Sequence, residues 1–290
     1  MELQWPLILF TTLLAWSAGT FAALCLYALK GEGKKAILPA WIASAVLLIA
    51  AGIAVAMHLE HWERIFNGFG HITSGITQEF IGIVLLVIVA IVFLVLWKRN
   101  DGKVPAWLCI LGIVVALALV LVSGLSYKMA SRPAWNNALE VLTLIGAALA
   151  LGPLTMMVID GATDSEKKLS GWAWITGIAG TAINAIATIG YLLSMKSATA
   201  GINKVGYYFD NSNPTVGIVD PSATVPFAGD AATLSIIAII GAVVGLIAAL
   251  AVKKVKPQII CAVGIIAVIA GAICLRMVFY QMGISVYTLY

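Results

Sequence analysis

The chemistry-bearing side chains of this chain collect in one short stretch, VAMHLEHWERIFNGFGHITSGITQEF, at residues 55–80. It holds all three histidines of the chain together with a group of charged residues: His58, His61, His71, Glu60, Glu63, Arg64 and Glu79. Imidazole and carboxylate groups can ligate a haem, bind a metal ion or exchange protons. The stretch therefore predicts a functional site and leaves three kinds of chemistry to compare.

Haem and metal binding fit the spacing poorly. A transmembrane haem held by two histidines needs one on each side of its ring, whereas His58 and His61 stand one helical turn apart and point the same way. The His-x-x-His spacing with nearby glutamates is not a recognised zinc motif. We therefore expect no haem and no metal site in this chain.

Proton exchange fits better. Histidine titrates near neutral pH, and a carboxylate near the membrane surface can pass a proton onward. We expect His58 and Glu79 to flank an amphipathic ligand such as a quinol, whose ring needs a base and whose tail needs apolar helices. Arg64 and Asn67 would serve as hydrogen-bond donors in the turn between them.

Simpler interpretations remain open at these positions. The histidines could be interfacial residues without chemistry, and Glu79 could complement the positive end of a helix, with Thr77 as its cap. Arg276 could snorkel, pair with Glu79 or Glu140, or contact the ligand. An aromatic belt at the membrane interface accounts for several tryptophans and tyrosines: Trp5, Trp62, Trp135, Tyr287 and Tyr290.

The composition places these residues in a membrane protein. Hydrophobic residues make up 62% of the chain and charged residues only 10%, against about 25% charged in soluble domains. The net charge of +4 gives no reason to expect nucleic acid as a partner. The four cysteines stand alone in apolar runs, which argues against an iron–sulfur cluster within this chain.

The apolar runs predict an all-α bundle of eight transmembrane helices forming a single domain over residues 1–290. A spanning helix needs about 20 mostly apolar residues, and a backbone in lipid must satisfy its own hydrogen bonds. The expected spans are 6–29, 38–59, 76–97, 106–128, 138–160, 171–195, 231–252 and 257–282. No cleaved signal peptide is expected, because MELQWPLILF lacks a positive leading region.

The distribution of lysine and arginine predicts the orientation. Eleven lie in the loops after the odd-numbered spans: Lys30, Lys34, Lys35, Lys98, Arg99, Lys103, Lys167, Lys168, Lys253, Lys254 and Lys256. Five lie on the opposite side: Arg64, Lys128, Arg132, Lys196 and Lys204. Because cytoplasmic loops are enriched in these residues, both termini are expected outside. The stretch 55–80, the loop YKMASRPAWNN and the long loop 196–230 are expected on that side as well.

Six segments, in order along nearly the whole chain, resemble the membrane anchor subunit of the dimethyl sulfoxide reductase family. They are WPLILF at 5–10, MHLEHWERIFN at 57–67, TSGITQEF at 73–80, RPAWNN at 132–137, LGPL at 151–154 and RMVFY at 276–280. The resemblance implies an eight-helix protein that binds menaquinol, holds no haem, and anchors an iron–sulfur subunit and a molybdopterin catalytic subunit.

The resemblance also implies roles for particular residues. His58 matches the histidine tied to menaquinol oxidation, Glu79 matches an acidic residue of the same site, and Arg64 matches a basic loop residue. Arg276 matches a last-helix pattern that has no firm role. His61 and His71 fall outside the pattern, and the loop 196–230 is longer and more aromatic than the family's.

The sequence thus predicts a quinol-oxidising anchor in a bacterial or archaeal cytoplasmic membrane. The quinol site, formed by His58, Arg64, Asn67, Glu79 and Arg276, is expected near the outer face. Chemistry on the terminal acceptor is expected in another subunit, so the chain would not itself act on that substrate. The alternatives are a solute or proton transporter and a purely structural anchor.

Overall fold

A computed structural model of the chain describes residues 3–59, 70–164, 169–196 and 225–283. Over these residues the chain is all-helical, with eight helices, each long and apolar enough to cross a membrane. They are α1 (Trp5–Leu29), α2 (Lys34–Ala56), α3 (Gly75–Arg99), α4 (Ala106–Ser126), α5 (Ala138–Thr163), α6 (Gly171–Met195), α7 (Gly229–Ala251) and α8 (Pro257–Gln281). The predicted fold class is confirmed, while the side of the termini stays a prediction.

The helix ends differ from the predicted spans by a few residues where charged side chains continue a helix. α2 begins at Lys34, before its apolar run at residue 38, and its N-cap Gly33 takes a positive φ of 63°. Lysines suit the polar headgroup region, so a helix can begin there before the chain enters the apolar layer. α3 likewise continues past residue 97 through Lys98 to Arg99.

Helices α1 and α5 form the centre of the bundle. α1 packs against α2, α4 and α5, and α5 also packs against α6 and α8. The remaining helices surround this pair, with α7 packed on α8 and on α6. Most of the predicted long loop 196–230, namely residues 197–224 with Tyr207, Tyr208 and Phe209, lies outside the described residues.

Small residues let the central helices approach at backbone distance. Gly19 of α1 lies against Ala148 and Gly152 of α5, and a Cβ atom at Gly19 would collide with the Ala148 carbonyl group. Gly180 of α6 lies in the same way against the backbone of Leu149. Such contacts stabilise helix pairs in lipid, where lipid tails are as apolar as the side chains and dispersion contacts carry the packing.

Replacing Gly19 by alanine is expected to destabilise the bundle by ~1–3 kcal/mol, because α1 and α5 must separate to admit the methyl group. Gly52 of α2 is the matched control, since it is exposed and a Cβ atom there meets nothing within 4 Å. Reversible unfolding in mixed detergent micelles gives the free energy of unfolding of both variants. Equal stability of Gly19→Ala and Gly52→Ala would contradict this account of the α1–α5 contact.

Candidate functional site

The structure places His58 just beyond the end of α2. Its backbone N–H donates to the Val55 carbonyl group at 3.0 Å, and its side chain is exposed. His71 is also exposed, before α3 begins. The residues between them, 60–69, lie outside the described residues, and with them the predicted His61, Arg64 and Asn67.

Glu79 lies inside the bundle. It belongs to the second turn of α3 and only 7% of its surface is exposed. The N-cap position of α3 is taken by Ser74, and no acidic residue stands in the first turn. Glu79 therefore does not have the position expected of a residue that merely complements the end of the helix.

The carboxyl group of Glu79 faces Ser123 and Ser126 of α4. At Gly75 the backbone of α3 comes so close to Ser126 that a Cβ atom would lie 2.6 Å from the serine Cβ. The Ser126 hydroxyl donates to the Ser123 carbonyl group at 2.8 Å. Within the described residues, Glu79 Oε1 and Ser123 Oγ are buried without a hydrogen-bond partner. Buried polar atoms are rarely left in this state, which makes this location a candidate for ligand contact.

Helices α2 and α3 follow each other in sequence yet pack on different neighbours. α2 rests on α1 and α5, whereas α3 rests on α4. His58 and Glu79 thus lie at the same end of the bundle, on either side of the seam between the two helices. The described residues show no hydrogen bond or ion pair between these two side chains.

An apolar crevice of about 230 Å³ occupies the seam. Its walls come from the middle turns of both helices, with Phe21 of α1 behind them: Trp41, Ser44, Ala45, Leu48 and Ile49 of α2 and Leu86, Val87, Ala90 and Ile91 of α3. One hydrogen bond crosses the seam, from Trp41 Nε1 to the Ala90 carbonyl oxygen at 2.9 Å. Sequence reasoning missed this crevice, since it depends on which helices pack together.

Arg276 lies within the bundle in an ion pair. Its Nη1 is 2.6 Å from Glu140 Oε1, and Nη2 approaches the Thr143 hydroxyl group at 3.5 Å. The side chains of Arg276 and Glu140 are 5% and 0% exposed. The pair with Glu140 was one of the predicted alternatives and is confirmed, whereas snorkelling is not. The predicted contact of Arg276 with quinol stays a prediction.

An aromatic cluster covers this pair at the end of α8. Trp135 stacks on Phe279 with ring centroids 4.6 Å apart and donates from Nε1 to the Phe279 carbonyl oxygen at 2.7 Å. Tyr127 and Tyr280 pack edge to face around them. Trp135 is only 5% exposed, so its predicted place in an interfacial belt is wrong. Trp5 is 47% exposed, as a belt residue should be.

A small polar cavity lies near this ion pair. This cavity of about 10 Å³ lies among α1, α5, α6, α7 and α8, where Thr12, Thr143, Asn184, Thr188 and Arg276 line part of it. That volume admits about one water molecule. Across the described residues, no three histidine, cysteine or acidic side chains are grouped to hold a metal ion.

Comparison with known families decides what kind of protein this is. The family model for the DMSO reductase anchor subunit (DmsC) matches residues 1–282. The chain belongs to this family. No curated protein matches it. The anchor family and the eight-helix apolar bundle make the chain a multi-pass membrane anchor of a DMSO reductase complex, which also contains catalytic and electron-transfer subunits.

The ion pair of the anchor generates a stability prediction. Arg276→Met leaves the fully buried Glu140 without its counter-ion and is expected to cost ~3–5 kcal/mol. The double variant Arg276→Met/Glu140→Met removes both charges and should recover most of that loss. Reversible unfolding in detergent micelles gives the free energy of unfolding of the original protein, the single variant and the double variant. A double variant no more stable than the single one would show that Arg276 acts through other contacts.

Proposed function

We propose that this anchor binds and oxidises menaquinol at the seam between α2 and α3 and passes the electrons to an iron–sulfur partner subunit. The observation that carries the proposal is the buried Glu79 carboxyl group, which has an unpartnered oxygen and lies at the same end of the bundle as the exposed His58. The family supports it, because an anchor of this kind works with an electron-transfer subunit.

The chemistry needs two proton acceptors. Oxidation of a quinol to a quinone releases two protons and two electrons. Glu79 lies inside the bundle and His58 at its surface, so we assign Glu79 the inner position beside the ring and His58 the outer position from which protons reach water. The predicted donors Arg64 and Asn67 would hold the ring oxygens from the connecting segment.

The electrons must leave the chain for a redox cofactor. Carboxyl, imidazole and hydroxyl side chains bind, orient and move protons, while electron storage belongs to cofactors such as iron–sulfur clusters. We therefore propose an iron–sulfur subunit docked near the His58 end, and beyond it a molybdopterin subunit that reduces the terminal acceptor. With the quinol site and partner on one side, expected to be the outer face, the anchor would not carry charge across the membrane.

Glu79→Gln keeps the shape of the side chain but cannot accept a proton at the same position. Menaquinol-dependent turnover of the purified complex is expected to fall by about 10²-fold, while Glu79→Asp should keep part of it. Asp101→Asn, just beyond the opposite end of α3, is the control and should leave menaquinol-dependent turnover unchanged. Turnover from an artificial dye that reduces the partner directly should survive in all three variants. Full menaquinol turnover in Glu79→Gln would refute the role of Glu79.

His58→Gln tests the outer acceptor in the same assay. We expect menaquinol turnover to fall by about 10²-fold, with turnover from the dye unchanged. His71→Gln is the matched control, because His71 is also exposed and stands on the same side of the bundle. If both histidine variants behave like the original protein and Glu79→Gln also keeps full menaquinol turnover, the proposed quinol site at His58 and Glu79 is wrong.

The alternative of a transporter finds less support in the described residues. Transporters place their substrate sites near the middle of the membrane. Here the polar cavity beside Asn184 has about 10 Å³, enough for one water molecule. Two larger spaces are the apolar crevice between α2 and α3 and a second apolar cavity bordered by α1, α4, α5 and α6. Both are lined mostly by apolar side chains, and the hydroxyl groups of Ser44 and Thr176 donate to backbone carbonyl oxygens.

A further inference from the structure

The crevice between α2 and α3 lies in line with Glu79. Leu86 and Ala90, which line it, follow Glu79 by seven and eleven residues and so share its face of α3. At 1.5 Å per residue, the crevice begins roughly 10 Å farther along the helix than the carboxyl group. A molecule with its polar head at Glu79 would therefore reach the crevice with a chain of about two isoprene units, which spans roughly 10 Å.

The walls of the crevice suit a hydrocarbon. Ser44 is the one hydroxyl-bearing residue among those that line it, and its Oγ donates to the Ser17 carbonyl oxygen at 3.0 Å. The Trp41 indole N–H donates to the Ala90 carbonyl oxygen. Both donors are thus engaged within the protein, and the surface left for an occupant is aliphatic and aromatic.

The size and the opening of the crevice also suit a chain. Its volume of about 230 Å³ exceeds the roughly 150 Å³ of an apolar cavity that can bind benzene. Leu86 and Phe21 form a buried floor, at 2% and 1% exposure. Ile49 and Ile91 stand exposed at the rim, so the crevice opens sideways toward lipid. A tail can enter from the membrane while its headgroup stays at the end of the helices.

We propose that this crevice is a subsite for the isoprenoid tail of the quinol, so that the anchor selects long-tailed quinols over tail-less ones. This inference rests on the proposed function, because the headgroup site at Glu79 fixes where the tail must begin. The second apolar cavity, of about 210 Å³, lies between other helices and is not assigned this role.

The test fills the crevice and compares two quinols. Ala45→Leu places a larger side chain in the crevice. For menaquinol with a tail of several isoprene units, KM should rise about tenfold, the factor that corresponds to ~1.4 kcal/mol. For menadiol, which has no isoprenoid tail, KM should stay within about twofold. Dye-driven turnover and the yield of assembled complex show that the variant folds.

Ala179→Leu is the matched control, since it makes the same change in the second cavity. It should leave KM unchanged for both quinols. If KM rose for menaquinol but not for menadiol in Ala179→Leu instead of in Ala45→Leu, the assignment of the crevice would be overturned. Unchanged KM in Ala45→Leu, as expected if a lipid acyl chain fills the crevice, would overturn it as well, and so would an equal rise for both quinols.

Failure of this inference can be told apart from failure of the proposed function. If Glu79→Gln abolishes turnover with both quinols but Ala45→Leu shows no tail dependence, the headgroup site stands and the tail subsite does not. If Glu79→Gln and His58→Gln keep full turnover with both quinols, the proposed function itself is wrong, whatever Ala45→Leu does.

Discussion

The backbone contact between α1 and α5 is the constraint on which the rest of the structure depends. Lipid tails are as apolar as the side chains, so the hydrophobic effect does little to bring transmembrane helices together. Helix pairs are instead held by the close packing that small residues allow. Gly19 and Gly152 allow this approach at the centre of the bundle, and most other helices are built onto the pair. α3 is attached to the bundle chiefly through α4. The seam between α2 and α3 follows from that arrangement.

The sequence predicts the fold well because the membrane reduces the choices open to the chain. A long apolar run must be a helix, and eight runs give eight helices whose ends shift by only a few residues. The helix neighbours could not be predicted in the same way. Contacts such as Gly19 with Ala148 join residues more than a hundred positions apart, and a single sequence contains no periodic signal for them.

The sequence predicted where the candidate residues lie along the chain but not how each of them is packed. The concentration of histidines and glutamates in residues 55–80 pointed to the ends of α2 and α3, and His58 and Glu79 do lie there. Their environments could not be predicted, because burial depends on packing: His58 is exposed, whereas Glu79 faces α4. Trp135 shows the same limit, since an interfacial tryptophan and one stacked on Phe279 look alike in sequence.

The two buried glutamates at this end of the bundle, Glu140 and Glu79, differ in their partners and therefore in the roles open to them. Glu140 has Arg276 at 2.6 Å, and this ion pair joins α5 to α8. Changing the charge of Glu140 would leave a buried cation unpaired, which ties this carboxylate to a structural role. Glu79 has no such cation among the described residues, and its nearest polar neighbours on α4 are serines. A proton can therefore arrive at or leave Glu79 without breaking an ion pair there, which a carboxyl group beside a quinol requires.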